Sequence, residues 1–138
     1  MSTAADNLAT VQAMLAGVST GDFDAFLDRL GPAAVYEAPY YRDFGERSGR
    51  AAIADMFAGL TARFSSVNYW ITQHFPTVDP DLVIVDCRGD NVVAGTDRHY
   101  RNHYLMFVTF SPAGQVTRWR EFSNPDTYRR EADGQDPA

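Results

Sequence analysis

Near Ser66 the spacing of apolar side chains changes from a helical to a strand period, and this change limits the architectures open to the chain. Before that point Leu8, Val11, Leu15 and Val18 recur at intervals of three and four, which predicts a helix over 4–18 with Ser2 and Thr3 available as caps. Asp22 is placed to cap a short second helix that buries Phe23, Phe26, Leu27 and Leu30 and stops at Gly31-Pro32. Residues 34–38 read as a strand ending at Pro39, and the aperiodic stretch 40–48 as a loop. A third helix follows Gly49, with Ile53, Met56, Phe57, Leu60 and Phe64 along one face.

After Ser66 the residues alternate. Strands are expected over 67–75, 100–110 and 116–123, with another beginning over 82–87, a turn at Asp79-Pro80-Asp81 and a hairpin loop at Ser111-Pro112-Ala113-Gly114. Asn124-Pro125-Asp126 reads as the end of the sheet, and the charged tail over 129–138 as a fraying segment. Three helices followed by an antiparallel meander give an α+β domain in which helices cover one face of a sheet.

Composition narrows the function classes. The 138 residues suit a single domain with a sizeable core, and 45% hydrophobic and 22% charged residues argue against disorder. Twelve basic against eighteen acidic residues give a net charge of −6, which argues against a nucleic-acid or anionic-membrane partner. There is no run of 18 apolar residues, and Met-Ser-Thr-Ala-Ala-Asp lacks the basic and apolar parts of a signal peptide, so a cytoplasmic location is expected. All twelve basic residues are Arg, which excludes Schiff-base chemistry on a lysine. No phosphate loop, nucleophile elbow or dinucleotide fingerprint occurs, so no cofactor is expected. Cys87, the lone cysteine, reads as a small core residue. His74, His99 and His103 have no metal-ligand spacing, and no metal is assigned.

Strand alternation singles out one acid. In 116–123, Arg118 and Arg120 point to one side and Trp119 and Glu121 to the other. With the guanidiniums on the wet side, Glu121 lies under the helices, where desolvation raises a carboxyl pKa toward the range of a general acid or base. The other reading of the same residue pairs it with an Arg across the sheet or with a backbone group. On the facing strand, Tyr100, Asn102 and Tyr104 share one side and His99, Arg101, His103 and Leu105 the other; alternation alone leaves open which looks inward. Two phenols and an amide suit a polar substituent on an apolar ligand. Glu37, at a strand end, reads as a solvated or Arg-paired carboxylate rather than a second inward acid. Arg42, Arg47 and Arg50 read as a solvated surface, with guidance of an anionic substrate as the alternative.

The segments Gly21-Asp22-Phe23-Asp24-Ala25-Phe26, Glu37-Ala38-Pro39, Ser48-Gly49-Arg50-Ala51-Ala52-Ile53 and Gly114-Gln115-Val116-Thr117-Arg118-Trp119-Arg120-Glu121-Phe122 resemble the SnoaL-like branch of the nuclear transport factor 2-like superfamily. The likeness treats residues 1–138 as one SnoaL-like domain with its core over 5–128. It implies a cystatin-like cone, a curved, mostly antiparallel sheet wrapped over three helices around an apolar pocket, in homodimers formed through the sheet. The C-terminal half is similar to the phenazine biosynthesis A/B proteins, through Phe75, Thr77, Asp79-Pro80, Gly89, Asn102-His103-Tyr104 and Arg120-Glu121-Phe122-Ser123-Asn124-Pro125, among others. That likeness implies Glu121 as the acid/base glutamate and Tyr100 as a pocket tyrosine, and favours Tyr100, Asn102 and Tyr104 as the inward set. Where those proteins place a histidine and a serine, this chain has Met56 and Leu60, which implies a greasier pocket. The base of ketosteroid isomerase would fall at Ala38, so that activity is not carried over.

The expected site is therefore Glu121 as the catalytic residue, with Tyr100, Asn102, Tyr104, Trp119, Met56 and Leu60 against a small hydrophobic or aromatic substrate. The expected function is cofactor-independent isomerisation, cyclisation or condensation in secondary metabolism. The alternatives are a non-catalytic binding domain for a hydrophobic small molecule and a structural dimerisation domain.

Overall fold

The computed structural model describes residues 1–134. Helix α1 (Ala4–Thr20) starts at a reciprocal cap: Thr3 Oγ1 accepts from the Asp6 N–H at 3.1 Å, while the Thr3 N–H donates to the Asp6 carboxylate at 3.0 Å. It buries Val11, Met14, Leu15 and Val18 and ends at Gly21, whose φ of 79° only glycine adopts without strain. α2 is a single turn, Asp24–Leu27. Strand β1 (Leu30–Glu37) leads to the short β2 (Glu46–Ser48) and then to α3 (Arg50–Arg63), which buries Ile53 and Phe57. The strands β3 (Phe64–Ser66), β4 (Tyr69–Phe75), β5 (Leu82–Val93), β6 (His99–Phe110) and β7 (Val116–Phe122) follow, and α4 (Pro125–Glu131) closes the described chain.

The strands form one mixed sheet in the order β2-β1-β7-β6-β5-β3, with β4 paired to β5 beyond β3. The pairings are antiparallel except that of β1 with β7. Register shifts between Ile71 and Gln73 and between Thr109 and Phe110 mark irregularities that bend the strands, and the sheet curves around the helices. On its inner face Val83, Val85, Cys87, Met106, Val108, Val116 and Trp119 meet Val11, Met14, Leu15, Phe26, Ile53 and Phe57 in one apolar cluster. Each large side chain so buried contributes about 1.5–3 kcal/mol relative to exposure. The expected α+β cone architecture is what the structure adopts.

Several local expectations change. The second helix ends at Leu27, and Leu30, Gly31 and Pro32 belong to β1. Proline is tolerated there because strand pairing to β7 skips from Leu30 to Val35. The loop over 40–48 contains β2, which pairs with β1. The strand expected over 67–75 starts at Tyr69 as β4, and a separate short strand, β3, precedes it along the same edge of β5, so that Phe64 leads β3 instead of ending α3. β5 continues past Cys87 to Val93. Helix α4 starts where the sheet was expected to end and takes in 129–131 of the segment read as a fraying tail: Asn124 Oδ1 accepts from the Asp126 N–H at 2.9 Å and Pro125 occupies the first turn. Residues 135–138 of that tail lie outside the described residues.

Candidate functional site

Between the inner face of β6 and β7, helix α3, the 38–45 loop and α4 lies a cavity of about 1200 Å³, so the cone is not filled by its own side chains. One wall is aromatic. Trp119, 1% exposed, lies parallel to Tyr36, with ring centroids 6.3 Å apart and 5° between planes, and Phe26 packs on it at 4.9 Å. Trp119 is held in place by register, opposite Tyr36 on β1 and Val108 on β6.

Two residues further along β7 on the same face, Glu121 sits opposite Met106. It lines the cavity and is half-buried there. Among the described residues its carboxyl has no hydrogen-bond or ion-pair partner, and burial alone pushes its pKa up to about 8. The carboxyl is therefore mainly neutral at pH 7. The contrast with Glu37 is sharp: on the outer face its carboxylate accepts from Arg118 and from Arg120 Nε, each at 2.7 Å.

Around the cavity stand several phenols. Tyr104 donates to Tyr100 Oη at 3.2 Å, and the Tyr69 hydroxyl accepts from Asn91 Nδ2 at 3.0 Å. Desolvation raises the pKa of Tyr100 and Tyr104 and pushes that of Tyr69 up to about 12, so all three remain protonated donors at neutral pH. Met56 and Leu60 line the cavity from α3. Asn102 is a correction: it does not line the cavity, because its amide is spent on Tyr100 Oη at 2.8 Å and on the Asn124 carbonyl at 3.0 Å.

Three further residues of the site were not singled out from the sequence, two of them from segments without a readable period. Tyr41 and Ser123 both line the cavity and share a 2.7 Å hydrogen bond that ties the 38–45 loop to the end of β7. Tyr128 of α4 meets both Tyr41 and Tyr100 edge to face, at 5.7 and 5.2 Å. The aromatic pair Tyr40-Tyr41 after Pro39, and the Asn124-Pro125 helix start, were the available signals.

The arginines divide. Arg50 holds Asp28 at 2.8 Å and Asp24 at 3.3 Å, bracing α3 against α2, whereas Arg42 and Arg47 line the cavity, with Arg47 4.4 Å over the Phe44 ring. His99 and His103 face outward and meet acids that sequence spacing did not reveal, because register brings Asp90 and Asp86 of β5 beside them. Cys87 is fully buried and its thiol is pushed up to about 12, which keeps it inert.

Residues 11–119 match the model of the SnoaL-like domain. The chain is 30% identical over 114 residues to the uncharacterized PhzA/B-like protein of Pseudomonas aeruginosa, covering 78% of this chain and 77% of that protein. Its fold matches the crystal structure of a proposed isomerase from Bacillus subtilis with a TM-score of 0.86 at 21% identity, over 99% of both chains. The structure of TerC co-crystallized with polyporic acid matches with a TM-score of 0.80 at 15% identity, over 93% of this chain and 98% of that one. Neighbours of this fold thus bind small molecules. No described helix is long and apolar enough to cross a membrane.

Proposed function

The chain belongs to the SnoaL-like domain family, and from that premise we propose that it is a small-molecule enzyme in which Glu121 moves a proton on an aromatic or polyketide-like substrate, without a cofactor, in an isomerisation, cyclisation or condensation. The observation that carries this reading is an unpartnered carboxyl inside a large cavity, with its pKa pushed up to about 8 by burial alone. A group that is neutral near pH 7 yet ionises close to it can give a proton and recover it within one cycle. Tyr36, backed by the buried Trp119, offers flat apolar surface for a ring, and the phenols offer donors for its oxygens.

The Glu121→Gln variant tests the reading, since it keeps shape and polarity while removing the titrating proton. Turnover should be abolished and the fold retained; unchanged turnover eliminates Glu121 as the acid/base. A non-catalytic binding domain is the second reading, favoured by Met56 and Leu60 where the phenazine proteins carry a histidine and a serine. It is distinguished by retained ligand affinity in Glu121→Gln with no product formed from any trapped compound.

The same proposal includes a homodimer through the sheet. Register aligns Phe75, Ile84 and Phe107 across β4, β5 and β6 on the outer face, and beside them Leu105 opposes Phe122. Phe75 and Leu105 are 37% and 38% exposed, and a contiguous apolar row of this kind is a dimerisation surface in search of its second copy.

A further inference from the structure

Ten of the twelve arginines are exposed, where water solvates the guanidinium, and Arg47 and Arg118 are half-buried. Arg118 holds Glu37 at 2.7 Å, with Glu46 at 3.9 Å. Arg47 meets no carboxylate at ion-pair distance among the described residues, because alternation along β2 sends its neighbour Glu46 to the outer face, toward Arg118. Register sets Arg47 opposite Tyr36 and Tyr36 opposite Trp119, so Arg47 shares their inner side and lines the cavity from the edge strand, beside the aromatic wall.

The contacts Arg47 does make fix its direction. Nη1 donates to the Phe44 carbonyl, and Cζ lies 4.4 Å over the Phe44 ring, which packs 6.0 Å from Tyr36. One of five N–H groups and one face of the guanidinium are thus used, and the other four donors have no acceptor among the described residues. A guanidinium offers N–H pairs in a planar fork that matches the two oxygens of a singly charged carboxylate. The acids that line the same cavity leave room for an anion: the Glu121 carboxyl is mainly neutral at pH 7, Asp133 is held by Arg63, and Asp43 and Asp55 are exposed to solvent that screens them.

We propose that Arg47 is an anion subsite of the cavity and that the molecule it takes is an aromatic carboxylic acid: the carboxylate is held by the Arg47 fork, the ring lies along Tyr36, and the far end meets Glu121. The subsite rests on the reading of the cavity as the Glu121 site, and it adds the charged substituent of the substrate. Arg47 and Glu121 are two strands and two residues apart on the inner face. With strands about 4.8 Å apart and about 3.3 Å per residue, their backbones are separated by about 12 Å, so the carboxylate and the reacting carbon lie at opposite ends of the ring system.

Isothermal titration calorimetry at pH 7 with 2-naphthoate and its uncharged counterpart 2-naphthamide reads the subsite. Wild type should bind 2-naphthoate about tenfold more tightly than 2-naphthamide. Arg47→Gln should weaken 2-naphthoate about tenfold and leave 2-naphthamide unchanged, whereas Arg50→Gln, which removes the same charge from the contact of α3 with α2, should change neither. Circular dichroism verifies each fold, and the wild-type comparison carries the test should Arg47→Gln not fold. A preference for 2-naphthoate that survives in folded Arg47→Gln, or that is lost equally in Arg50→Gln, overturns the subsite. No preference in either wild type or Glu121→Gln also overturns it and leaves the Glu121 reading standing. A preference that emerges only in Glu121→Gln means that an ionised Glu121 repels the anion; it overturns the reading of Glu121 as a neutral acid and leaves Arg47 as the subsite. Failure of wild type to bind either probe overturns the cavity reading and the subsite together.

Discussion

Arg120 Nε donates to Glu37 at 2.7 Å on the outer face of the sheet, while Glu121, the next residue along β7, holds its carboxyl on the inner face with no partner among the described residues. Adjacent positions on one strand thus separate a neutralised surface acid from an isolated interior one. The outer cluster joins β1 to β7 through Arg118 and Arg120, and both arginines keep more than two fifths of their side-chain surface in solvent. Removing the carboxylate should therefore cost little: Glu37→Ala lowers stability by on the order of 1 kcal/mol, read as a small drop in melting temperature that shrinks further in high salt.

Glu121 gives stability a pH dependence of opposite sign to that of an ordinary paired carboxylate. Burial raises its folded-state pKa to about 8, against about 4.3 in an unfolded chain. Between those values the folded state holds a proton that the unfolded state has lost, so stability falls as pH rises through this window and levels off above about 8. The loss is on the order of a few kcal/mol, and it should be absent from Glu121→Gln. Urea unfolding of both proteins across pH 5 to 9 checks this.

Activity follows the same proton. With Glu121 acting first as the donor, the rate should fall as pH rises through about 8, and that inflection should be missing from any residual activity of Glu121→Gln. A profile flat across that range argues against Glu121 as the acid.

Gly89 on β5 makes room for the phenols. A Cβ there would lie 2.9 Å from Tyr104 Cε2 and 2.9 Å from Tyr69 Cε1, both ring atoms with little freedom to retreat. Gly89→Ala should destabilise the protein by about 1–3 kcal/mol and displace Tyr104 from Tyr100. Denaturant unfolding measures the first effect, and the near-ultraviolet circular dichroism of the buried tyrosines the second.

The inward and outward sides of β7 were legible because a strand has a period of two, so Trp119 and Glu121 had to oppose Arg118 and Arg120. Alternation put Tyr100 and Tyr104 on one side of β6, and the family resemblance, not the period, favoured that side as the inward one. Asn102 shares their side, yet its role was hidden: its partners are a neighbouring phenol and the Asn124 carbonyl, 22 positions away, which only folding brings close. Tyr41 and Tyr128 escaped notice because a loop and a seven-residue helix are too short for any apolar period to emerge, whereas Ser123 shares the inward side of its strand with Trp119 and Glu121 and its partner Tyr41 lies 82 positions away. The parallel pairing of β1 with β7 was invisible for a different reason, since it joins strands from opposite ends of the chain.

The apolar row on the outer face should hold two copies together. Leu105→Glu places a charge in that row beside Phe122, and light scattering should then report a monomer for the variant and a dimer for the unaltered chain. A wild-type monomer at micromolar concentration removes the dimer from the account.

The chain contains four glutamates, Glu37, Glu46, Glu121 and Glu131, few enough to follow singly by carbon-13 NMR of side-chain-labelled protein. The signal that disappears in Glu121→Gln should titrate near pH 8, as the burial of its carboxyl requires. A midpoint for that signal near the ordinary value of about 4.3 would mean that the carboxyl meets bulk water or a cation, and would contradict the account at its centre.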